Sequence, residues 1–140
     1  MTESVTTLPF NRHVGIQLCL SGDGLLELPS GEQFLNHIGT VHAGAQLTLA
    51  EACSGEFLLR SVSGISDIVP VVRRVEAKFR KAASGRLTAK VTAVEPAVAD
   101  ALEQLARRGR CVIRVSVDVV DELNQQTLSA TIEWFAARSS

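Results

Sequence analysis

One acidic residue, Glu51, lies in the middle of an otherwise apolar stretch of the chain. Its nearest neighbours in the sequence are Leu49, Ala50, Ala52 and Cys53. Burying a carboxylate without a partner is costly, and burial raises its pKa. A carboxyl group in such surroundings is a candidate general base or nucleophile. The alternative is that Glu51 reaches solvent or caps a neighbouring group.

The segment before Glu51 is built from small residues. Residues 39–44 read Gly-Thr-Val-His-Ala-Gly, and we predict that a helix begins there. The first N–H groups of a helix are unpaired and lie at the positive end of its dipole, so they can receive an anion or a polarised carbonyl oxygen. Ala43 and Gly44 would let a substrate approach this backbone. A simple tight turn is the alternative interpretation.

These residues must be positioned by the first half of the chain. We predict a helix from about Ala43 to Leu59, apolar on nearly every side and therefore buried on most faces. Before it, Leu8–Arg12 favours a short helical turn. Val14–Leu20 and Leu25–Leu28 are strand candidates, joined by a turn at residues 21–24, Ser-Gly-Asp-Gly.

The second half of the chain alternates between apolar and polar residues, which is typical of strands. The predicted strands are Val69–Lys81, Leu87–Val94, Cys111–Val120 and Thr127–Phe135. In the first of them, one face is predicted to hold Val71, Val75, Ala77 and Phe79, and the other Arg74, Glu76, Lys78 and Arg80.

An insertion, Pro96–Arg108, separates the second and third of these long strands. Val98, Leu102 and Leu105 form an apolar stripe, and Gly109 suits the end of a helix. The turn at residues 121–126 predicts a hairpin between the last two strands. The chain therefore has one long buried helix and four long strands, which predicts an α+β fold in which a curved, mostly antiparallel sheet wraps around the helix.

Length and composition limit the function. The chain has 140 residues, 46% hydrophobic and 21% charged, which predicts one globular domain over residues 1–140. No apolar run is long enough for a membrane helix, and no secretory signal is visible, so we expect a cytoplasmic protein with no membrane partner. Three cysteines at non-motif spacing predict small buried side chains and no metal site.

Charge is unevenly distributed along the chain. The net charge of -1 argues against nucleic-acid binding. Basic residues concentrate in one predicted strand and its end, at Arg73, Arg74, Lys78, Arg80 and Lys81. Such a patch on a neutral protein fits a small anionic ligand, although an ordinary solvated face is an equal alternative.

Asn36, His42, Gly44 and Glu51 together form the pattern N-x5-H-x-G-x6-E. The sequence here resembles the hotdog-fold acyl-CoA thioesterases, in particular their phenylacetate-pathway-like (PaaI-like) branch. The resemblance implies the hotdog fold and makes Glu51 the catalytic base or nucleophile. It implies that the Ala43 N–H, with Gly44 beside it, forms the oxyanion hole, that Asn36 holds the thioester or the water, and that His42 orients the loop.

The resemblance also implies the ligand and the assembly. Acyl-CoA is the substrate, and no cofactor is expected because coenzyme A is part of that substrate. Arg73, Arg74 and Lys81 are candidates for binding its phosphates, and Gln46 and Ser54 are further candidate substrate-binding residues. In the family the site lies between subunits, which implies a homodimer or homotetramer. An acyl carrier protein is an additional candidate partner for the basic face.

Two other functions stay open at this point. A non-catalytic acyl-CoA-binding protein would share the fold and the ligand. His37 and Glu51 have the spacing H-x13-E found in hotdog hydroxyacyl dehydratases, which use a His and a Glu as an acid/base pair on a β-hydroxyacyl thioester. The loop here lacks the prolines of those enzymes, and a polar loop residue is the simpler interpretation of His37.

Overall fold

The computed structural model describes residues 4–20 and 24–139. Two short 3-10 turns occur at Val5–Thr7 and Glu32–Phe34. The helices are α1 (Pro9–Val14), α2 (Ala43–Ser61) and α3 (Val98–Arg108). The strands are β1 (Gln17–Leu18), β2 (Leu26–Leu28), β3 (Ile68–Phe79), β4 (Leu87–Glu95), β5 (Arg110–Val120) and β6 (Gln126–Arg138). No helix in the described ranges has the length and apolar character that crossing a bilayer requires.

The strands form one six-stranded sheet in the order β1-β2-β4-β5-β6-β3. All neighbouring strands are antiparallel. Buried and partly exposed side chains alternate along β5 and β6, so one face of the sheet forms the core. The predicted hairpin between β5 and β6 is present, with the Asp121 carboxylate accepting from the backbone N–H groups of Leu123 and Gln125.

The long helix α2 lies across this core face and packs mainly on β2, β4, β5 and β6. Its buried residues include Leu49, Ala50, Ala52, Cys53 and Leu58. The predicted α+β arrangement, a curved sheet around one helix, is therefore confirmed. Helix α3 is also confirmed and ends at Gly109, whose positive φ of 75° makes the left-handed cap that favours glycine. Its Leu105 packs into the core, as the apolar stripe predicts.

Edge strand β3 departs from the predicted alternation. The register shifts between Val72 and Arg74, so Arg73 is an extra residue in a β-bulge. Because of this extra residue, the side chains before the bulge point to the sheet face opposite to the one that strict alternation predicts. Val71 lies opposite Phe135 on the outer face, whereas Val75 lies opposite the buried Ile132. The predicted grouping of Val71 with Val75 is wrong because strict alternation cannot register an inserted residue.

The first predicted strand is also largely wrong. Helix α1 continues to Val14, and Gly15 follows it with a φ of 101°. Only Gln17–Leu18 pairs as a strand, because the chain reverses at that glycine before it reaches the sheet edge. The predicted turn at residues 21–24 falls, except for Gly24, outside the described residues. Helix α3 begins at Val98, two residues later than the predicted start.

Candidate active site

The loop that leads to α2 is fixed by Asn36. Its Oδ1 accepts from the backbone N–H groups of Ile38 and Thr40, both at 3.0 Å, and its Nδ2 donates to Thr40 Oγ1 at 2.8 Å. Gly39, with a φ of 80°, supplies the left-handed turn that closes the loop. Asn36 is therefore a rigid positioning residue, and one N–H of its amide is still available to a ligand.

His42 is the N-cap of α2. Its Nδ1 accepts from the Gly44 N–H at 2.8 Å, which places the ring proton of the neutral imidazole on Nε2. A Cβ at Gly44 would lie 3.1 Å from that Nδ1, closer than most real contacts. A side chain at position 44 would therefore crowd the imidazole, which lies over the start of the helix. This geometry fits the loop-orienting role expected of His42.

Only one N–H at the start of α2 lacks an acceptor in the described structure, that of Ala43. Gly44 donates to the His42 ring, while the N–H groups of Ala45 and Gln46 donate to the His42 carbonyl oxygen. Ala43 is exposed, so its N–H is accessible. Of the two predicted backbone donors, Ala43 is thus the one whose N–H is not already engaged.

Glu51 lies two turns further along α2 and is partly buried. Its carboxylate has no hydrogen-bond or ion-pair partner among residues 4–20 and 24–139. Burial raises the pKa of this carboxyl group above its ordinary value. The structure therefore leaves Glu51 partly desolvated and without a donor among the described residues, which makes its carboxylate more basic than usual.

Ser54 and Gln46 are engaged inside the protein. Ser54 is fully buried, donates to the Glu51 carbonyl oxygen at 2.7 Å and accepts from Trp134 Nε1 at 2.8 Å. Gln46 is also buried, and its Oε1 accepts from Thr127 Oγ1 at 2.9 Å. Both residues therefore tie α2 to β6. Their predicted contacts with substrate stay a prediction, and neither presents an unused polar group to the surface.

The candidate phosphate-binding residues Arg73, Arg74 and Lys81 lie at two separate places along β3 and the residues after it. Arg73 and Arg74 lie at the bulge of β3, where Arg73 contacts the Phe135 ring and approaches Glu133 at 3.9 Å. Arg74 forms an ion pair with Glu76 at 2.6 Å. Lys81 follows the far end of the strand, about 23 Å away along the chain at the rise of a strand. No ion pair of Lys81 occurs within the described residues.

Lys81 lies close in sequence to a residue that contacts the loop preceding α2. Ala83, two residues after it, accepts from the Val41 N–H at 2.8 Å. Arg73 and Arg74 are held by acidic neighbours on the outer face instead. The structure thus brings Lys81, but not the two arginines, to the end of the molecule where α2 begins. His37 is exposed in the same loop.

Glu56 is a buried carboxylate that the sequence analysis missed. It is 2% exposed, and its Oε1 accepts from Ser4 Oγ at 2.9 Å and from the Val5 N–H at 3.0 Å. Its Oε2 accepts from Arg60 Nε at 2.9 Å. The spacing of Glu56 and Arg60, four residues apart in an apolar helix, was the only sequence signal of this pair. Glu56 anchors the N-terminal segment on α2.

Residues 7–136 match the family described as Domain of unknown function (DUF4442). The chain belongs to this family. No curated protein matches the sequence of this DUF4442 domain.

Solved structures share the fold of this DUF4442 domain. A protein of unknown function from Pseudomonas aeruginosa, a probable thioesterase, superposes with a TM-score of 0.80 at 22% identity, over 96% of this chain and 91% of that one. A thioesterase from Haemophilus influenzae gives 0.72 at 19% identity, over 96% and 86%. A Bacillus halodurans protein in a structure with CoA gives 0.63 at 20%, over 79% and 65%.

These similarities confirm the predicted hotdog architecture of the DUF4442 domain. At such identities they establish the fold and not the reaction. The more specific resemblance, to the phenylacetate-pathway-like branch, stays a prediction.

Proposed function

We propose that this DUF4442 protein hydrolyses acyl-CoA thioesters to a free acid and CoA. The observation that carries the proposal is the state of Glu51, a partly buried carboxylate without a partner in the described structure, whose pKa is raised by burial. Structural neighbours that include a thioesterase and a protein crystallised with CoA support the same substrate class.

The chemistry needs two groups from the chain. Glu51 takes a proton from a water molecule that attacks the thioester carbonyl, or its carboxylate attacks the carbonyl directly and water then hydrolyses the anhydride. In either case the carbonyl oxygen gains negative charge and accepts from the Ala43 N–H. The C–S bond then breaks and CoA leaves as a thiolate, which needs no strong general acid because thiols are acidic.

We propose that these two groups come from different subunits of a homodimer. Ala43 and Glu51 are eight positions apart on one helix, so about 12 Å separates them along its axis. Both must reach the same carbonyl, which one helix cannot arrange. The unpaired edge of β3, where Val75 and Phe79 are 44% and 45% exposed, supports association with a second copy.

In this proposal Lys81 faces the phosphates of CoA at the loop end of the molecule, while Asn36 and His42 hold the loop in place. Arg73, Arg74, Gln46 and Ser54 are weaker candidates for substrate contact because their side chains have partners within the protein. Cys53 and Cys111 are free thiols, which supports a reducing, cytoplasmic setting.

The first test is thiol release from acyl-CoAs of increasing chain length, measured for wild type, Glu51→Ala and Glu51→Gln. We expect both variants to lose about 10²–10⁴-fold in turnover, the usual contribution of a positioned general base. Burial raises the pKa of Cys53 to about 12, so this thiol adds little background. Unchanged turnover in the variants would remove Glu51 from the mechanism.

A second test separates the two subunits. Ala43→Pro removes only the N–H of the first helical residue, a position where proline is favoured. His42 already has a ψ of 138°, which suits a residue before proline. We expect Ala43→Pro and Glu51→Ala each to be inactive. Their equal mixture should regain about a quarter of wild-type activity, because half of the random dimers contain both variants and each of these has one intact site of two. No recovery after verified subunit exchange would contradict the shared site.

A non-catalytic acyl-CoA-binding protein is the second candidate. The observation that favours it is Ser54, whose hydroxyl is engaged with Trp134 and the helix backbone and so offers no help to a catalytic water. Binding of CoA thioesters without release of thiol from any of them would support this function. Hydration of crotonyl-CoA that is lost in His37→Ala would instead support a dehydratase.

A further inference from the structure

An apolar cavity of about 450 Å³ lies between the second half of α2, helix α3 and the end of the sheet. Its wall includes Gly55, Leu58 and Leu59 from α2, Ala101 and Leu105 from α3, and Trp134 from β6. The volume falls within the range of about 300–1,000 Å³ that is typical of small-molecule sites. Helix α3, the insertion predicted from the sequence, forms one entire side of it.

The cavity begins one helical turn after the candidate catalytic residue. Residues four apart on a helix share a face, so Gly55 lies directly after Glu51, about 6 Å along the axis. Leu58, Leu59 and Val62 continue the same stripe into the cavity. A glycine inside a helix destabilises it by about 1 kcal/mol relative to alanine, so its presence at 55 calls for a local reason. A Cβ at position 55 would lie 3.5 Å from the side chains of Val5 and Trp134, so the glycine keeps space free between α2 and these two residues.

The lining offers almost nothing to a polar ligand. The Trp134 indole N–H donates to Ser54, and the Ser61 hydroxyl donates to the Phe57 carbonyl oxygen at 2.8 Å. Burial raises the pKa of the Cys111 thiol, which keeps it neutral. Among the described residues that line the cavity, the single charged side chain is that of Asp67, which is exposed at the surface. A ligand that fills this space must therefore be apolar, and Asp67 repels one that ends in a carboxylate.

We propose that this cavity binds the acyl chain of the substrate and that the substrate is a thioester with an apolar acyl chain. The proposal rests on the proposed thioesterase function for the placement of the reacting carbonyl at Glu51. The acyl chain then runs from Glu51 past Gly55 and ends between α3 and Trp134. This assigns a role to α3, which closes the pocket that sets chain length.

The chain's single tryptophan provides a readout that needs no catalysis. Bromine quenches indole fluorescence on contact, so ω-bromoundecanoate should quench Trp134 when its chain enters the cavity. We expect saturable quenching in wild type, and weaker binding in Ala101→Leu, which fills the cavity from α3. Ala99→Leu makes the same substitution at an exposed position of α3 and should behave as wild type.

Hydrolysis provides the second arm of the test. From butanoyl-CoA through hexanoyl- and octanoyl- to decanoyl-CoA, we expect wild-type kcat/KM to rise by about fourfold for each added methylene. Ala101→Leu should reduce the decanoyl-CoA value by about tenfold or more and leave butanoyl-CoA unchanged. Ala99→Leu again serves as the control.

The two arms separate the failure of this inference from the failure of the proposed function. Quenching that depends on Ala101, without hydrolysis of any thioester, would keep the acyl pocket and overturn the thioesterase. Hydrolysis that is independent of chain length, without quenching, would keep the thioesterase and overturn the pocket. Equal quenching in Ala101→Leu and Ala99→Leu would place the bromine outside the cavity and would also overturn it.

Discussion

Two glutamates on the same helix have opposite environments. Glu56 is almost completely buried and accepts hydrogen bonds from Ser4, Val5 and Arg60. Glu51, five positions earlier, is less buried and its carboxylate has no partner in the described structure. Because both carboxylate oxygens of Glu56 accept hydrogen bonds, its burial is compensated and it stabilises the fold. The Glu51 carboxylate is partly removed from water but has no hydrogen-bond partner in the described structure, which is typical of a catalytic base or nucleophile.

Burial alone therefore does not identify a catalytic carboxylate. The more deeply buried glutamate is the structural one, because hydrogen bonds compensate for the loss of water. A partly buried and unpartnered carboxylate is the better candidate. Between the two residues, Ser54 ties the Glu51 turn of α2 to Trp134.

Substituting alanine for Glu56 and for Glu51 tests the difference between the two residues. Glu56→Ala leaves the buried Val5 N–H and Ser4 hydroxyl without their acceptor, so we expect it to lower the free energy of unfolding by about 2–4 kcal/mol. Glu51→Ala should lose activity without losing stability. Urea denaturation and thiol release of both variants measure the two effects.

Glu56→Gln is the control for that experiment, because its amide oxygen can still accept from Ser4 and Val5. It loses only the bond to Arg60, whose guanidinium can turn to solvent because its side chain is 52% exposed. We expect Glu56→Gln to recover most of the stability. If Glu56→Ala were as stable as wild type, the structural role of Glu56 would be wrong.

A smaller effect is expected at Ser54. Ser54→Ala leaves the buried Trp134 N–H without an acceptor and should lower the free energy of unfolding by about 1–3 kcal/mol, with a shift in tryptophan emission. Activity at a temperature where the variant is folded should stay close to wild type. A stable variant without activity would instead make Ser54 a hydroxyl that acts on the substrate.

The smallest effect concerns pH. Burial raises the pKa of Glu51 in the folded protein, so the protonated form is favoured by folding. Its contribution to stability is present at acid pH and is lost as pH rises through the raised pKa. We therefore expect Glu51→Gln to melt above wild type near neutral pH, with the difference vanishing in acid.

The same shift applies to catalysis. The acid limb of wild-type kcat/KM should lie above about 4.3, the ordinary pKa of a glutamate. Melting curves and rate profiles across this pH range check both statements. An acid limb at the ordinary value, with no difference in melting between wild type and Glu51→Gln, would mean that Glu51 is well solvated in the assembled protein.

The sequence by itself determined the order and type of most elements. Helix α2 and strands β3 to β6 follow from local periodicity. The end of α3 follows from Gly109, because glycine readily adopts the left-handed conformation that caps a helix. Periodicity failed at β3, where the bulge at Arg73 turns Val71 outward. A bulge is settled by pairing with β6, and no local pattern contains that partner.

The candidate site also has features that follow from the sequence and features that only the fold decides. Glu51, His42 and Ala43 could be selected from the sequence because an acid in an apolar helix and small residues at a helix start are local signals. Which polar groups are already engaged was decided by tertiary structure, since Gln46 meets Thr127 and Glu56 meets Ser4 across long separations in the chain. The physical reason is that propensity and periodicity act between near neighbours, whereas burial and hydrogen-bond partners depend on residues that only folding brings together.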